Sequence, residues 1–331
     1  MFDERPISLL QAEELLNKCG LIPVDNADYR VGFFTEDEDI AATGALVGDM
    51  LQMIAVDPAF QGEDLSSRVV THLVSYAFRN GKRCLYLITK NSAAPMFQSM
   101  GFKQVAETSA GATLLEWGKP GIAEYCAGLE KYRAKPGEKL GCLVMNCNPF
   151  TLGHKYLVSK ASRENDRVIL FVVQEDLSEF PFSVRKMLVE QGTAEFGNVT
   201  VLPGGRYMIS SLTFPAYFSR DAVRTRQQAE MDAVLFSRYI VPALGISGRY
   251  LGEEPFSEST DAYNRILSKH LKDLELRIIP RFEIEGEAVS ASRVRALLRS
   301  GETEKAYKIL PETTRNYIVD NLSEVMKWLG K

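Results

Sequence analysis

The chain has 331 residues, a formal net charge of −4 and 45% hydrophobic residues, which allows two domains that each bury a sizeable core. No domain carries a general excess of basic residues, and this argues against a nucleic-acid binder. The acidic, mixed N-terminus does not resemble a signal peptide, and no apolar run approaches the ~18 residues that span a membrane, so we expect a cytoplasmic enzyme that binds neither nucleic acid nor membrane.

The first predicted domain covers residues 1–131. A β-rich segment over 49–56 leads into a helical pattern that ends at Gly81, and a strand pattern follows over 84–89. A short helix, a turn and a further strand come next. This order, together with the segment MFQSMGF, resembles the acetyltransferase (GNAT) fold. The resemblance predicts a GNAT-like α/β domain.

One turn of this domain departs from the acetyltransferase pattern. In that family a Gly-rich turn offers N–H groups to the pyrophosphate of acetyl-CoA. Here the turn reads QGEDLS and keeps only Gly62 of the expected glycines, while Glu63 and Asp64 place two negative charges where the pyrophosphate would lie. Because like charges repel, we expect a domain that is degenerate for acetyl-CoA and has a structural or carrier-docking role.

The second predicted domain covers residues 138–331 and follows a polar Pro/Gly hinge over 132–138. Strand and helix patterns alternate along it, which predicts a Rossmann-like parallel sheet with helices on both faces. A long helical stretch over 217–242 interrupts the alternation, and we interpret it as an insertion over the active site. Strands are predicted at 140–145, 168–173, 199–203, near 250 and at 275–280, and helices at 150–164, 183–196, 260–272, 291–299 and 303–326.

The first motif, LVMNCNPFTLGHKYL over 143–157, is the most informative stretch. A helical pattern opens at its centre, where Thr151 and His154 share one face of the first turn and Gly153 leaves room for a ligand. A helix N-terminus offers unpaired N–H groups and a positive dipole end to an anion. The alternative is a strand–turn–helix that merely contains a histidine. The position of the polar loop, at the carboxyl end of a predicted strand, favours a ligand site.

The second motif, EAVSASRVRALLR over 287–299, predicts a helix with Ser290 as its N-cap. Arg293 and Arg295 fall in its first turns, where a cation opposes the helix dipole. Two arginines at a helix start indicate an anion site. The alternative is a solvated basic face, which fits Arg299 better than Arg295.

The two motifs resemble those of a known superfamily. NPFTLGH resembles the (H/T)xGH motif of the nucleotidylyltransferases, and VSASRVR resembles their ISSTxxR motif. The chain is similar over nearly its whole length to the citrate (pro-3S)-lyase ligase family, which carries an acetyltransferase-like domain ahead of the ligase domain. The shared segments are MNCNPFTLGH, FPFSVRKMLVEQG, ISSLTFPAYF and YLGEEPFSESTDAYN.

This resemblance implies an AMP-forming ligase. Such an enzyme activates acetate with ATP as acetyl-AMP and acetylates the thiol of the prosthetic group on the citrate lyase acyl carrier subunit. Mg²⁺ would travel with ATP, so we expect no dedicated metal site in the protein. The five cysteines lack CxxC spacing, which predicts reduced thiols rather than a zinc site.

The resemblance also assigns roles to residues. His154 and Thr151 would donate to the α-phosphate and the bridging oxygen, and Arg295 would hold the β- and γ-phosphates. Ala291 departs from the middle serine of the family motif. The residues expected to bind ATP are Asn146, Pro149, Phe150, Gly153, Ser290, Ser292, Gly252 and Glu253.

A wall for the acyl group or the acceptor is expected at Thr213, Phe214 and Tyr217, although these aromatic-rich residues suit a core equally well. Two other functions stay open on the sequence. One is a nucleotidyltransferase that joins ATP to a phosphorylated small molecule. The other is a CoA-dependent N-acetyltransferase with an accessory domain.

Overall fold

The structure is a computed structural model that describes residues 2–174, 178–209, 214–215, 221–253, 258–272 and 274–330, with the backbone alone at 221–222 and 258–262. The chain forms two compact units. The first comprises Met1–Gly128 and Phe214–Val234, and the second comprises Leu129–Thr213 and Leu235–Lys331. Within the described residues, no helix has the length and apolar character that crossing a membrane requires.

The helices and strands of the described residues are numbered in chain order. The strands are β1 (Asp3–Pro6), β2 (Tyr29–Phe34), β3 (Ile40–Val47), β4 (Met50–Val56), β5 (Cys84–Lys90), β6 (Lys103–Glu107), β7 (Ala112–Gly118), β8 (Leu140–Met145), β9 (Arg167–Val172), β10 (Val199–Pro203), β11 (Gly248–Gly252), β12 (Glu275–Ile279), β13 (Glu283–Ile284) and β14 (Glu287–Ala288). The helices are α1 (Leu9–Lys18), α2 (Leu65–Arg79), α3 (Ala94–Ser99), α4 (Ile122–Leu129), α5 (Leu152–Glu164), α6 (Phe182–Thr193), α7 (Asp221–Leu235), α8 (Val241–Leu244), α9 (Glu258–His270), α10 (Ala291–Ser300), α11 (Thr303–Lys308), α12 (Glu312–Asp320) and α13 (Leu322–Trp328).

The first unit is built on a seven-stranded sheet in the order β1-β2-β3-β4-β5-β7-β6. Neighbouring strands run antiparallel except β4 and β5, which are parallel and pair at Met50 and Tyr86. Helix α2 packs so closely on the sheet that a Cβ on Gly44 would lie 2.5 Å from Val69. A mixed α/β domain was predicted for this half of the chain and is confirmed.

Helix α7 belongs to the first unit although its sequence lies between β10 and β11 of the second. Its Glu230 is buried and accepts hydrogen bonds from the Ser109 hydroxyl at 3.0 Å and the Ala110 N–H at 2.9 Å. Gln227 donates to the Ala110 carbonyl at 2.9 Å. As predicted for 217–242, this helical stretch interrupts the alternation of strands and helices, and α7 packs within the first unit. The buried residues of α7 mix polar side chains such as Gln227 and Glu230 with apolar ones such as Met231 and Leu235, so hydrophobic periodicity could not identify its partner.

The second unit contains a parallel sheet in the order β10-β9-β8-β11-β12. Strand β8 is central and apolar, as expected for a strand that is covered on both faces, and its Leu143 lies in a core with Val158 of α5 and Leu188 of α6. The predicted Rossmann-like parallel sheet is confirmed.

The helix predicted over 303–326 is in fact three helices, α11, α12 and α13. Pro311 precedes α12 and ends the continuity with α11, because proline has no N–H to donate and its ring clashes with the preceding turn. Asn321 caps the boundary between α12 and α13. The predicted stretch 217–242 likewise divides, into α7, a π-helical turn (Phe236–Ile240) and α8.

Candidate active site

A cavity of about 600 Å³ in the second unit lies at the carboxyl ends of β8 and β11. The chain order of the strands reverses between these two strands, and open α/β sheets bind ligands at such a switch point. Both sequence motifs contribute side chains to it. The polar lining includes Asn146, Asn148, His154, Ser178, Glu179, Tyr263, Asn264 and Arg295.

The first turn of α5 fixes the orientation and the charge of His154. The backbone N–H of Thr151 donates to Nδ1 of His154 at 3.1 Å, so Nδ1 is the acceptor and we assign the proton of the neutral ring to Nε2. Burial, assisted by the charge of Arg281, lowers the pKa of His154 to about 4. At neutral pH His154 therefore offers an uncharged N–H donor.

Thr151 caps α5 and does not line the cavity. Its hydroxyl oxygen accepts from the backbone N–H of His154 at 3.4 Å and lies 3.0 Å from Nδ1 of the same ring. The residue is 1% exposed. The sequence predicted a direct contact between Thr151 and phosphate, whereas the geometry makes Thr151 the group that orients His154.

Three other residues of the first motif, Pro149, Phe150 and Gly153, pack near His154 or beside it in the chain without lining the cavity. A Cβ on Gly153 would lie 3.0 Å from the carbonyl oxygen of Val289, so this glycine permits α5 to approach the segment before α10 rather than making room for a ligand. Phe150 is buried and stacks on His154 with 5.9 Å between ring centroids. The Asn148–Pro149 peptide bond is cis, and α5 begins only at Leu152 rather than at the predicted residue 150. Within the described residues, Pro149, Phe150 and Gly153 are not part of the cavity lining.

Asn146 is held by a buried arginine that the sequence analysis did not single out. Arg185 of α6 donates through Nη1 to the carbonyl oxygen and to Oδ1 of Asn146, each at 2.8 Å, and to the carbonyl of Val173 at 2.9 Å. A guanidinium only donates hydrogen bonds, so the Asn146 atom that faces it is Oδ1. The amide nitrogen then faces the Ser178 hydroxyl at 3.0 Å and is available as a donor on the cavity wall.

Glu179 is the second residue that the sequence analysis missed. Its carboxylate accepts from Nε of Arg295 at 2.9 Å, from Arg299 at 2.9 Å and from the Asn148 amide at 2.6 Å. Burial raises the pKa of Glu179, but these hydrogen bonds and the charge of Arg295 outweigh it and lower that pKa to about 2. Arg295 also donates through Nη1 to the carbonyl of Asn148 at 2.6 Å. Glu179 thus joins the loop of the first motif to the helix of the second.

Helix α10 presents Ala291 and Arg295 to the cavity. Its N-cap is Ser290, whose hydroxyl accepts from the Arg293 N–H at 3.2 Å and lies 3.1 Å from the Ser292 hydroxyl. Within the described structure, neither serine is in the cavity lining, and Arg293 pairs with Glu287. Ala291, the residue at which this chain departs from the family motif, is therefore part of the cavity wall.

The remaining predicted residues divide between the two units. Gly252 ends β11 and lines the cavity, whereas Glu253 is exposed and its N–H donates to Ile279 at 2.9 Å. Phe214 is 2% exposed and belongs to the first unit rather than to the cavity. Thr213 and Tyr217 lie outside the described residues.

Arg185 and Glu179 differ in whether the sequence could have indicated them. Arg185 shares a helix face with Leu188 and Val189 at helical spacing. A charged residue on an apolar face indicates a buried charge that needs hydrogen-bond partners, so the sequence could have indicated Arg185. Glu179 lies in a loop and meets Arg295 116 residues later, and no local pattern indicates such a contact.

The first unit has a cavity of its own, of about 660 Å³, lined in part by Leu51, Ile54, Gly62, Asp64 and Phe97. Asp64 precedes α2 in a left-handed backbone conformation, with φ of 55° and no capping hydrogen bond from its side chain. The predicted acidic turn therefore lies at the edge of this cavity.

Comparison with known proteins agrees with both units. Residues 140–318 match the family described as "Citrate lyase ligase C-terminal domain" and residues 14–102 match the acetyltransferase (GNAT) family. A citrate (pro-3S)-lyase ligase of Klebsiella pneumoniae is 37% identical over 88% of this chain and 88% of its own length. Proteins of the same name from Escherichia coli and Haemophilus influenzae are 35% identical (88% of this chain, 84% of theirs) and 33% identical (96% of each). The chain therefore belongs to the citrate lyase ligase family.

Proposed function

We propose that this chain activates citrate lyase by acetylating the thiol of the prosthetic group on its acyl carrier subunit, with acetate and ATP as the other substrates. The relatives are named ligases of citrate lyase. The observation that most supports the proposal is the meeting of three donors, Asn146, His154 and Arg295, in one cavity at the switch point of the sheet.

The cavity suits the phosphates of ATP. A neutral imidazole, an amide nitrogen and a guanidinium can each donate a hydrogen bond to a phosphate oxygen. Among the described residues of the lining, the only carboxylate is that of Glu179, which is already bound to Arg295. Charge-assisted pairs of arginine with phosphate are among the stronger hydrogen bonds in proteins. This donor set also favours the charge that develops on the phosphoryl oxygens.

Mg²⁺ fits the site only as a companion of the nucleotide. Within the described residues, no group of three or more His, Cys, Asp or Glu side chains could hold a metal ion. Mg²⁺ commonly keeps several waters and binds mainly through substrate phosphates. The ion would neutralise phosphate charge, and the protein residues would position the nucleotide.

In the first step an acetate oxygen attacks the α-phosphorus of ATP, the bond from that phosphorus to the bridging oxygen breaks, and pyrophosphate leaves. His154 remains uncharged and donates to the oxygen on which negative charge grows, while Arg295 holds the β- and γ-phosphates. Phosphoryl transfer asks mainly for positioning and electrostatic stabilisation. These residues supply both without a proton transfer of their own.

In the second step the carrier thiolate attacks the acetyl carbonyl and AMP leaves, with the thiol proton released to solvent. Cys147 lies in the cavity wall, but burial raises the pKa of its thiol far above the usual range. A protonated thiol is a poor nucleophile. We therefore assign the acyl acceptor to the carrier and not to the enzyme.

The test is an assay of pyrophosphate and AMP with ATP, Mg²⁺ and acetate, in the presence and absence of deacetylated citrate lyase. We expect acetate-dependent ATP–pyrophosphate exchange with the enzyme alone, and one AMP per acetyl group when the carrier is added. Pyrophosphate release that needs a phosphorylated acceptor would instead indicate a nucleotidyltransferase. Acetylation from acetyl-CoA without ATP would indicate a CoA-dependent acetyltransferase.

A further inference from the structure

A buried amide lines the active-site cavity apart from the phosphate-binding donors. Asn264 of α9 is 8% exposed and forms part of the cavity wall. Its backbone carbonyl accepts from the Ser268 hydroxyl at 2.9 Å. Within the described residues, its side-chain amide forms no hydrogen bond. An amide on a cavity wall offers a ligand both a donor and an acceptor, so a ligand group that pairs with both gains affinity.

The cavity lining also has an aromatic and an apolar component. Tyr263, Leu157 and Leu251 line the cavity together with Asn264. Tyr263 directly precedes Asn264 in α9, so the ring and the amide come from the same helical turn. Such a lining suits a flat, uncharged heterocycle.

Acetate is a poorer match for this position. A carboxylate only accepts hydrogen bonds, so it could pair with Nδ2 of Asn264 but would leave Oδ1 unsatisfied. The adenine base has an amine donor beside a ring-nitrogen acceptor, and the amide of asparagine pairs with both at once. Guanine places an oxygen acceptor where adenine has the amine, so the same amide discriminates against it.

We infer that Asn264 binds the adenine base of ATP and sets the preference of the enzyme for adenine over other purines. The inference rests on the proposed use of ATP and adds a residue that reads the base. Arg295 and His154 act on the phosphates, and Asn264 acts on the opposite portion of the same nucleotide.

The experiment compares ATP with purine riboside triphosphate, which lacks only the exocyclic amine. Binding of each nucleotide to the full-length protein is measured by calorimetry for wild type, Asn264→Ala and Asn264→Asp. The aspartate variant keeps the shape of the side chain and loses its N–H donors. Ser268→Ala, on the same helix, serves as the matched control because it removes a hydrogen bond without altering the cavity wall.

Wild type is expected to bind ATP about ten-fold more tightly than purine riboside triphosphate. In Asn264→Ala this ratio is expected to fall to within about two-fold, and Asn264→Asp is expected to bind ATP several-fold more weakly than wild type. Ser268→Ala is expected to keep the wild-type ratio, and the KM for acetate is expected to stay the same in all three variants.

An unchanged ratio in a folded Asn264→Ala protein would overturn the inference, and so would a variant that raises the KM for acetate instead. Should Asn264→Ala not fold, an Asn264→Asp protein with wild-type affinity for ATP would overturn it equally. Failure of the proposed function has a different signature, since wild type would then bind ATP and show the amine-dependent ratio without acetate-dependent pyrophosphate exchange.

Discussion

Arg185 donates through one nitrogen to both the backbone and the side-chain oxygen of Asn146, at 2.8 Å each. The contact joins the middle of a buried helix face to the loop that opens the active site. It determines which end of the Asn146 amide faces the cavity. A residue that never reaches a ligand can therefore set the donor pattern that the ligand meets.

The first prediction concerns Arg185→Lys. Arg185 also donates through Nε to the carbonyl of Phe180 at 3.0 Å. An ammonium keeps the charge but lacks the planar fork that reaches Asn146, Val173 and Phe180 at once, so we expect the free energy of unfolding to fall by about 2–3 kcal/mol and the kcat to fall with it. Asn146→Ala should then cost less activity in the Arg185→Lys background than in wild type. Denaturant unfolding and steady-state kinetics measure both effects, and Lys186→Met on the same helix is the control. Additive losses would show that Arg185 does not act through Asn146.

The second prediction concerns the chemistry of His154. We expect His154→Ala to lower kcat by at least ~10²-fold with little change in ATP binding, because a donor that serves charge developing in the transition state is worth roughly that much. Pyrophosphate exchange and calorimetry provide the two readouts. Near wild-type turnover in a folded variant would remove His154 from the mechanism.

The third prediction is a pH dependence of stability. The folded pKa of His154 is about 4, below its ordinary value of 6.5, so the unfolded chain binds a proton that the folded chain excludes. This contribution to stability is complete above pH 6.5 and is lost as the pH falls towards 4, by up to about 3 kcal/mol. Denaturant unfolding between pH 7 and pH 4.5 should show a steeper decline in wild type than in His154→Gln. Parallel curves for the two proteins would contradict it.

The fourth prediction separates two arginines of α10. Arg295→Ala should weaken ATP binding by ten-fold or more and AMP binding little, because the lost contact is a charge-assisted bond to the outer phosphates, worth ~1.5–3 kcal/mol. Arg293→Ala is the matched control, since Arg293 pairs with Glu287 and lies outside the cavity lining of the described structure. Equal losses for ATP and AMP would show that Arg295 supports the fold or contacts the adenosine side.

The fifth prediction concerns the acidic turn of the first unit. Asp64 adopts a left-handed backbone conformation that glycine adopts without strain, and it places a carboxylate at the edge of the 660 Å³ cavity. We expect the full-length protein to show no binding of acetyl-CoA at micromolar concentrations, and Asp64→Gly to improve that binding. Calorimetry tests both, with Asp37→Gly as a distant control. A micromolar dissociation constant for wild type would contradict the expectation.

Local sequence patterns predicted the fold well, but they did not predict the contacts that hold the site side chains in place. Strands β8 and β10 begin and end at the predicted residues, because apolar runs bounded by polar turns report burial directly. The continuous helix over 303–326 was wrong because apolar spacing continued across Pro311. The contact of Glu179 with Arg295 joins distant segments, and the capping role of Thr151 depends on a ring nitrogen, so neither follows from periodicity.

The position of α7 has a consequence for how the protein matures. Domains generally fold as units while the chain emerges from the ribosome, the N-terminal one first. Here the buried carboxylate that Ser109 and Ala110 bind, Glu230, is synthesised only after β8, β9 and β10 of the second unit. The loop between β6 and β7 therefore gains this partner of Ser109 and Ala110 only after those strands have been synthesised. Each unit combines two separate stretches of the chain, so neither can be exchanged between proteins as one continuous segment.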